Sequence, residues 1–228
     1  MSDRGTRLRG CFVTFDLDNA PVGGLTPAMK QRIIALPTTY GFNALHVYLE
    51  QYGMEVGSNA AICDELVELT AQAGMYLILV IGNHPGTFHA PFVQRFWDFY
   101  IGRYTERTHV IYEIQNEPAF LCNEPSSPAE LITMEIDAYH TIRRSAPHTH
   151  ILLCSYAEVP HSVIIQSDIQ SLTAGGVDFS NASFAYHGYY WCAGARDSGG
   201  YANNTEHIVL DPFIQQGYSF TNTEFDEP

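Results

Sequence analysis

The sequence predicts an α/β fold of the TIM, (β/α)8, barrel type, and three observations predict it. Seven short apolar runs recur at intervals of roughly thirty to forty residues, the size of one strand–helix unit with its loops. The runs are apolar on both faces and most gaps between them carry helical periodicity, which is the pattern of a parallel sheet covered by helices. Polar and aromatic residues collect just past the carboxyl ends of the runs: Asp16, Glu50, His84, Glu117, Tyr156, His187 and Glu224. In a barrel those ends converge on one mouth, where chemistry is kept. A doubly wound open sheet fits the alternation too, but no GxGxxG or GxxxxGK follows any strand, so nucleotide binding on such a sheet has no support.

The strands are expected at CFVTFD (11–16), ALHVYLE (44–50), YLILVIG (76–82), HVIYEIQ (109–115), HILLCSY (150–156), SFAYHGYY (183–190) and YSFTNTE (218–224). Between the first two, PAMKQRIIALPTTY sets Met29, Ile33 and Leu36 on one side of a helix that Pro37 should end or kink. In SNAAICDELVELTAQAG, Ser58 is the expected N-cap, Glu65 and Glu68 face water and Gly74 closes the helix. APFVQRFWDFYIGRYTE aligns Phe92, Phe96, Phe99 and Tyr100 on one stripe, a pattern that marks core. SPAELITMEIDAYHTIRRSAP opens on Ser-Pro and closes with Arg143 and Arg144 near its negative pole. The pattern is weaker in HSVIIQSDIQSL, and TEHIVLDPFIQQG is interrupted by Pro212.

At 228 residues the chain suits one domain, 1–228. Hydrophobic residues at 46% against 16% charged mark it as globular. A net charge of −14 argues against a nucleic-acid partner, whose phosphates need Lys and Arg, and no run approaches the ~18 apolar residues of a membrane span. The N-terminal MSDRGTRLRG has no apolar signal core, so no secretory signal is expected. Cys11, Cys63 and Cys154 read as buried thiols, whereas Cys122 and Cys192 lie in loops where pairing stays open.

Two strand ends carry the chemistry. VIYEIQNEP (110–118) delivers Asn116, Glu117 and Pro118, and SFTNTEFDEP (219–228) delivers Glu224. Glycosidic cleavage needs a proton donor to the leaving oxygen and a second carboxylate as nucleophile or base. Glutamates at the ends of separate barrel strands can face each other across a substrate, with environments that hold one protonated and the other ionised. A metal-dependent hydrolase is the poorer reading of the ten histidines, since His84 and His89 in NHPGTFH fit no ligand motif and no HExxH is present.

These residues resemble the clan A retaining glycosidases, most closely glycoside hydrolase family 5, the cellulases and mannanases. YEIQNEP is similar to that family's acid/base motif, and further matches follow the family's order: RGCFVTF, GFNALHVY at the second strand, His84 after the third, HGYY at the sixth and TNTEFDEP at the seventh. The resemblance implies double displacement on a β-1,4-glucan or mannan, with Glu117 as acid/base, Glu224 as nucleophile and carboxyl groups ~5–5.5 Å apart. It implies Asn116 at the sugar 2-hydroxyl, His187, Tyr189 and His84 around the substrate, and no cofactor or metal. Trp191 follows the sixth strand and is a candidate sugar platform, whereas Trp97 lies on a core helix. A secreted protein would suit the resemblance, but the compartment stays open.

The sequence also departs from the family. His46 stands where the family usually carries the Arg that keeps the nucleophile ionised, and Asp226 where Gly is common. The eighth strand and its Trp are not seen, so the barrel reads as truncated after strand seven, with open edges that a longer gene product or another chain would fill. A non-catalytic, sugar-binding remnant of the same fold is therefore the alternative function.

Overall fold

The computed structural model describes residues 8, 10–12, 24–82, 86–119, 126–188 and 206–225. Among the described residues, seven strands alternate with six α-helices in the predicted order: β1 (Gly10–Phe12), α1 (Pro27–Tyr40), β2 (Ala44–Tyr48), α2 (Ala60–Ala73), β3 (Tyr76–Val80), α3 (Ala90–Tyr104), β4 (Val110–Glu113), α4 (Ala129–Ser145), β5 (Ile151–Tyr156), α5 (Ser162–Ala174), β6 (Ala182–Gly188), α6 (Glu206–Gln215) and β7 (Phe220–Phe225). Every neighbouring pair is parallel, and the sheet runs β1 to β7 in sequence order with those two strands at its edges. This is the strand order of a (β/α) barrel. The sheet curls far enough for Thr223 on β7 to reach Glu113 on β4.

Because side chains alternate across a strand, the sheet has two apolar faces. Leu77, Leu79, Tyr112, Leu153 and Phe184 join the main core beneath the helices, while Ile78, Ile111, Leu152 and Ala185 form a second, inner cluster. Continuing each inner face toward the carboxyl ends brings the polar residues His46, Glu113 and His187 above that apolar floor. The sequence pattern of alternating apolar and polar positions thus becomes a layered interior.

Several local expectations are corrected. Helix α1 passes through Pro37 to Tyr40 and is closed instead by Gly41, whose left-handed φ of 71° lets its N–H reach Pro37 O at 3.0 Å. Pro212 likewise sits inside α6. Residue Asn59, not Ser58, occupies the N-cap of α2, and its amide is committed to Leu49 O at 2.8 Å. Along α3, Phe92, Phe96 and Tyr100 are buried but Phe99 is 38% exposed. Trp97 is fully buried, as expected of a core helix, and donates to Ile114 O. The thiols of Cys63 and Cys154 are free and buried, while Cys122 and Cys192 lie outside the described residues. Among the described residues no helix is long and apolar enough to cross a membrane.

Candidate active site

Past Glu113 the chain leaves β4 and must turn so that the next carboxylate faces the mouth. Asn116 N–H bonds Ile81 O at 2.9 Å and Gly86 N–H bonds Glu117 O at 2.8 Å, tying this loop to the end of β3. The Gln115 side chain donates to Thr87 O at 2.7 Å. Glu117 itself adopts a φ of 38°, a left-handed conformation uncommon for a residue with a side chain and characteristic of functional sites. Tyr48 Oη donates to Asn116 Oδ1 at 2.7 Å, fixing the amide beside it.

Glu224 arrives from the opposite side, on β7. The register between β6 and β7 shifts between Tyr186 and His187, so that His187 aligns with Glu224. His187 Nδ1 then lies 2.5 Å from Glu117 Oε1 and 3.7 Å from Glu224 Oε2. One ligand-type atom from each of the three residues falls within 4.8 Å of the others. Glu117 and His187 are buried, and the Glu224 side chain is 11% exposed. The trio is also the one group among the described residues whose donors could together hold a cation. The short contact between Glu117 and His187 engages two of those three groups with each other.

Below the mouth is a residue the sequence reading passed over. Glu113 is fully buried, with His46 Nε2 at 2.8 Å from its Oε2 and Ser155 Oγ donating to its Oε1 at 2.6 Å. Thr223 Oγ1 adds a longer bond of 3.4 Å, so this carboxylate links β2, β4, β5 and β7. Burial alone would raise its pKa, but His46, His187 and the Ser155 hydroxyl outweigh that and hold it below the ordinary glutamate value. The readable signal was a charged residue inside the apolar run VIYEI, in a sheet covered on both sides, where a buried charge requires a partner.

His46 is 4% exposed and sits against Glu113, which makes it a support for the site and not a surface for a sugar. Burial pushes the Glu224 carboxyl up to about 7, against an opposing pull from His46. Two of the polar strand ends prove structural. Glu50 accepts from the N–H groups of Gly57 and Asn59 and from Tyr100 Oη, clamping the loop before α2. Tyr156 Oη donates to Asp168 on α5, away from the mouth. Asp16, His84, Tyr189 and Trp191 lie outside the described residues.

A family model described as cellulase (glycosyl hydrolase family 5) matches residues 21–226. No curated protein matches the chain. Among solved structures, the chain is similar to the catalytic domain of Thermobifida fusca endoglucanase Cel5A, with a TM-score of 0.62 and 19% identity over 88% of this chain and 62% of that one. A variant of that domain has been solved with cellotetraose. The mannanase catalytic domain from Streptomyces sp. SirexAA-E gives 0.67 and 16%, covering 89% and 62%. The β-glucanase SdGluc5_26A from Saccharophagus degradans gives 0.70 and 18%, covering 98% and 81%. The chain thus spans 62% of the length of the first two, and at these identities the likeness is one of fold.

Proposed function

The chain belongs to glycosyl hydrolase family 5, and from that premise we propose that it hydrolyses a β-1,4-linked glucan or mannan with retention of anomeric configuration. The observation that carries this reading is the pair Glu117 and Glu224, brought from β4 and β7 to within 4.8 Å of one another and of His187. That spacing suits a retaining enzyme, whose second carboxylate attacks carbon directly, better than an inverting one, which must leave room for a water.

In this mechanism Glu224 Oε attacks the anomeric carbon while Glu117 gives its proton to the departing glycosidic oxygen. A covalent glycosyl–enzyme ester forms and the C–O bond to the leaving sugar breaks. Water then attacks the same carbon, Glu117 takes its proton, and the ester bond to Glu224 breaks. His187, at 2.5 Å from Glu117, is placed to orient that carboxyl in both roles. Asn116, held by Tyr48, supplies an amide for the hydroxyl beside the reacting carbon. The test is incubation with soluble β-1,4-glucan, β-1,4-mannan and their aryl disaccharides, followed by proton NMR of the first product. A β-anomer forming first, and mutarotating later, is expected. Absence of any hydrolysis would favour the non-catalytic sugar-binding reading.

The elevated Glu224 makes a second expectation. The nucleophile must be ionised, so kcat/KM should rise with pH through an acidic limb near the value of about 7 to which burial pushes this group. His46→Arg sets a permanent positive charge near Glu224 and should move that limb down by about one unit. A limb that stays in place would remove His46 from the control of Glu224.

A further inference from the structure

Strand β5 carries one of the two register shifts among the described strands. Its pairing with β6 shifts between Leu153 and Tyr156, and the two residues in the shift, Cys154 and Ser155, have φ values of 67° and 27°. Neither is glycine, so this bulge is strained and must be held by its surroundings. The bulge turns the Cys154 N–H out of the ladder toward the helix layer, where a buried donor needs an acceptor. Glu135 Oε2 on α4 is that acceptor, at 3.2 Å, and Glu135 is fully buried. Its Oε1 has no hydrogen-bond partner among the described residues. The other end of the bulge is held from the next helix, because Tyr156 Oη and Ser127 Oγ both donate to Asp168 on α5, at 2.8 and 2.6 Å.

What the bulge positions is Ser155. Its hydroxyl donates to Glu113 at 2.6 Å and lies 3.5 Å from the Glu117 N–H that donates to it. A continuous chain of contacts therefore runs from a carboxyl in the helix layer, through the strained backbone, to both the buried hub and the amide of the mouth glutamate. We propose that Glu135 is a positioning residue for Glu117, acting through the Cys154–Ser155 bulge that it holds in place. This rests on the glycosidase reading for its catalytic consequence but not for its structural one. Glu135 is suited to the task in its neutral form: burial, with the like charges of Asp168 and Glu113, pushes its pKa up to about 8. The groups acting on it are Cys154 on β5, whose backbone N–H donates to it, Asp168 on α5 and Glu113 on β4. Ionisation there would set a third negative charge against the bulge.

Amide hydrogen exchange on the full chain reads this coupling without requiring turnover. In Glu135→Leu, exchange is expected to rise by about tenfold or more in residues 153–157 and 113–118, while 76–80 on β3 keeps its wild-type rate. Glu135→Gln keeps an acceptor and should restore slow exchange. Where the wild type hydrolyses a glycan, Glu135→Leu should lower kcat about ten- to a hundredfold with KM nearly unchanged, and Glu135→Gln should recover most of that loss. The proposal is overturned if 113–118 does not respond, if 76–80 responds equally, or if Gln fails to rescue. Should Glu135→Leu not fold, the comparison becomes wild type against Glu135→Gln between about pH 7 and about pH 9. Excess exchange in 153–157 beyond the intrinsic rate is expected for wild type only, and an equal response of the two refutes the idea. Failure of the wild type to cleave any glycan would sink the glycosidase reading and leave the exchange result to decide this one.

Discussion

Glu224→Ala is expected to remove turnover of any β-glycan the wild type cleaves, by about 10⁵-fold or more, because in the proposed mechanism the first covalent bond is made by its oxygen. Glu117→Ala should lose about 10²- to 10⁴-fold, and unevenly. Aryl glycosides with an acidic phenol leave without protonation and should suffer least in formation of the ester, so that its hydrolysis becomes the slow step. Azide then separates the two roles. In Glu224→Ala it enters the space vacated beneath the sugar and should yield the α-glycosyl azide. In Glu117→Ala the ester still forms, and azide attacks it from the other face to yield the β-azide. Anomeric proton couplings distinguish the products. The opposite pairing of variant and product would exchange the assignments of the two glutamates, the arrangement that burial's raising of Glu224 to about 7 would suit, since a resting acid catalyst is ordinarily the raised member of such a pair. The motif and the pKa direction point different ways, and product stereochemistry decides between them.

How much of this was legible in the sequence follows from what each residue's neighbours are. The strand–helix alternation was readable because the strands β2 to β6 are largely apolar and helices such as α2, α3 and α4 have a buried stripe, so the β1–β7 order required no long-range information. That Glu117 and Glu224 would meet was readable because each ends an apolar run, and the mouth of a barrel collects such ends. Glu50 and Tyr156 occupy equivalent positions and do structural work instead, clamping a loop and tying β5 to α5. Position along a strand does not say which way a loop turns afterward. Glu113, Ser155 and Glu135 were missed for a different reason. Their meaning lies in partners far apart in sequence, 110 residues in the case of Glu113 and Thr223. The bulge that aims Ser155 leaves no mark in HILLCSY, since neither Cys154 nor Ser155 is a glycine that would have flagged a positive φ.

Glu113 carries the second large effect. Glu113→Leu should cost about 3–5 kcal/mol in urea unfolding, because removing one partner of a buried pair leaves the other polar groups without compensation. Here those groups are the His46 ring, the Ser155 hydroxyl and, at longer range, the Thr223 hydroxyl. Against the ~5–15 kcal/mol that holds a typical domain, the loss takes a large share of the total. Leu fills the space but accepts no hydrogen bond, so the cost is one of unmet polarity and not of a cavity. Glu113→Gln keeps the acceptor for Ser155 and should be milder. The pH dependence distinguishes the charge from the shape. A carboxyl held below its ordinary value contributes stability that is present above the unfolded glutamate pKa, about 4.3, and is lost as pH falls through the folded value. Wild type should therefore lose stability on acidification more steeply than Glu113→Gln, the two curves converging at low pH. Catalysis should fail together with stability, since the same carboxylate fixes the serine beneath the Glu117 amide and the histidine that acts on Glu224. A Glu113→Leu protein within about 1 kcal/mol of wild type would mean that the four strands converging on this residue are held by their apolar faces alone.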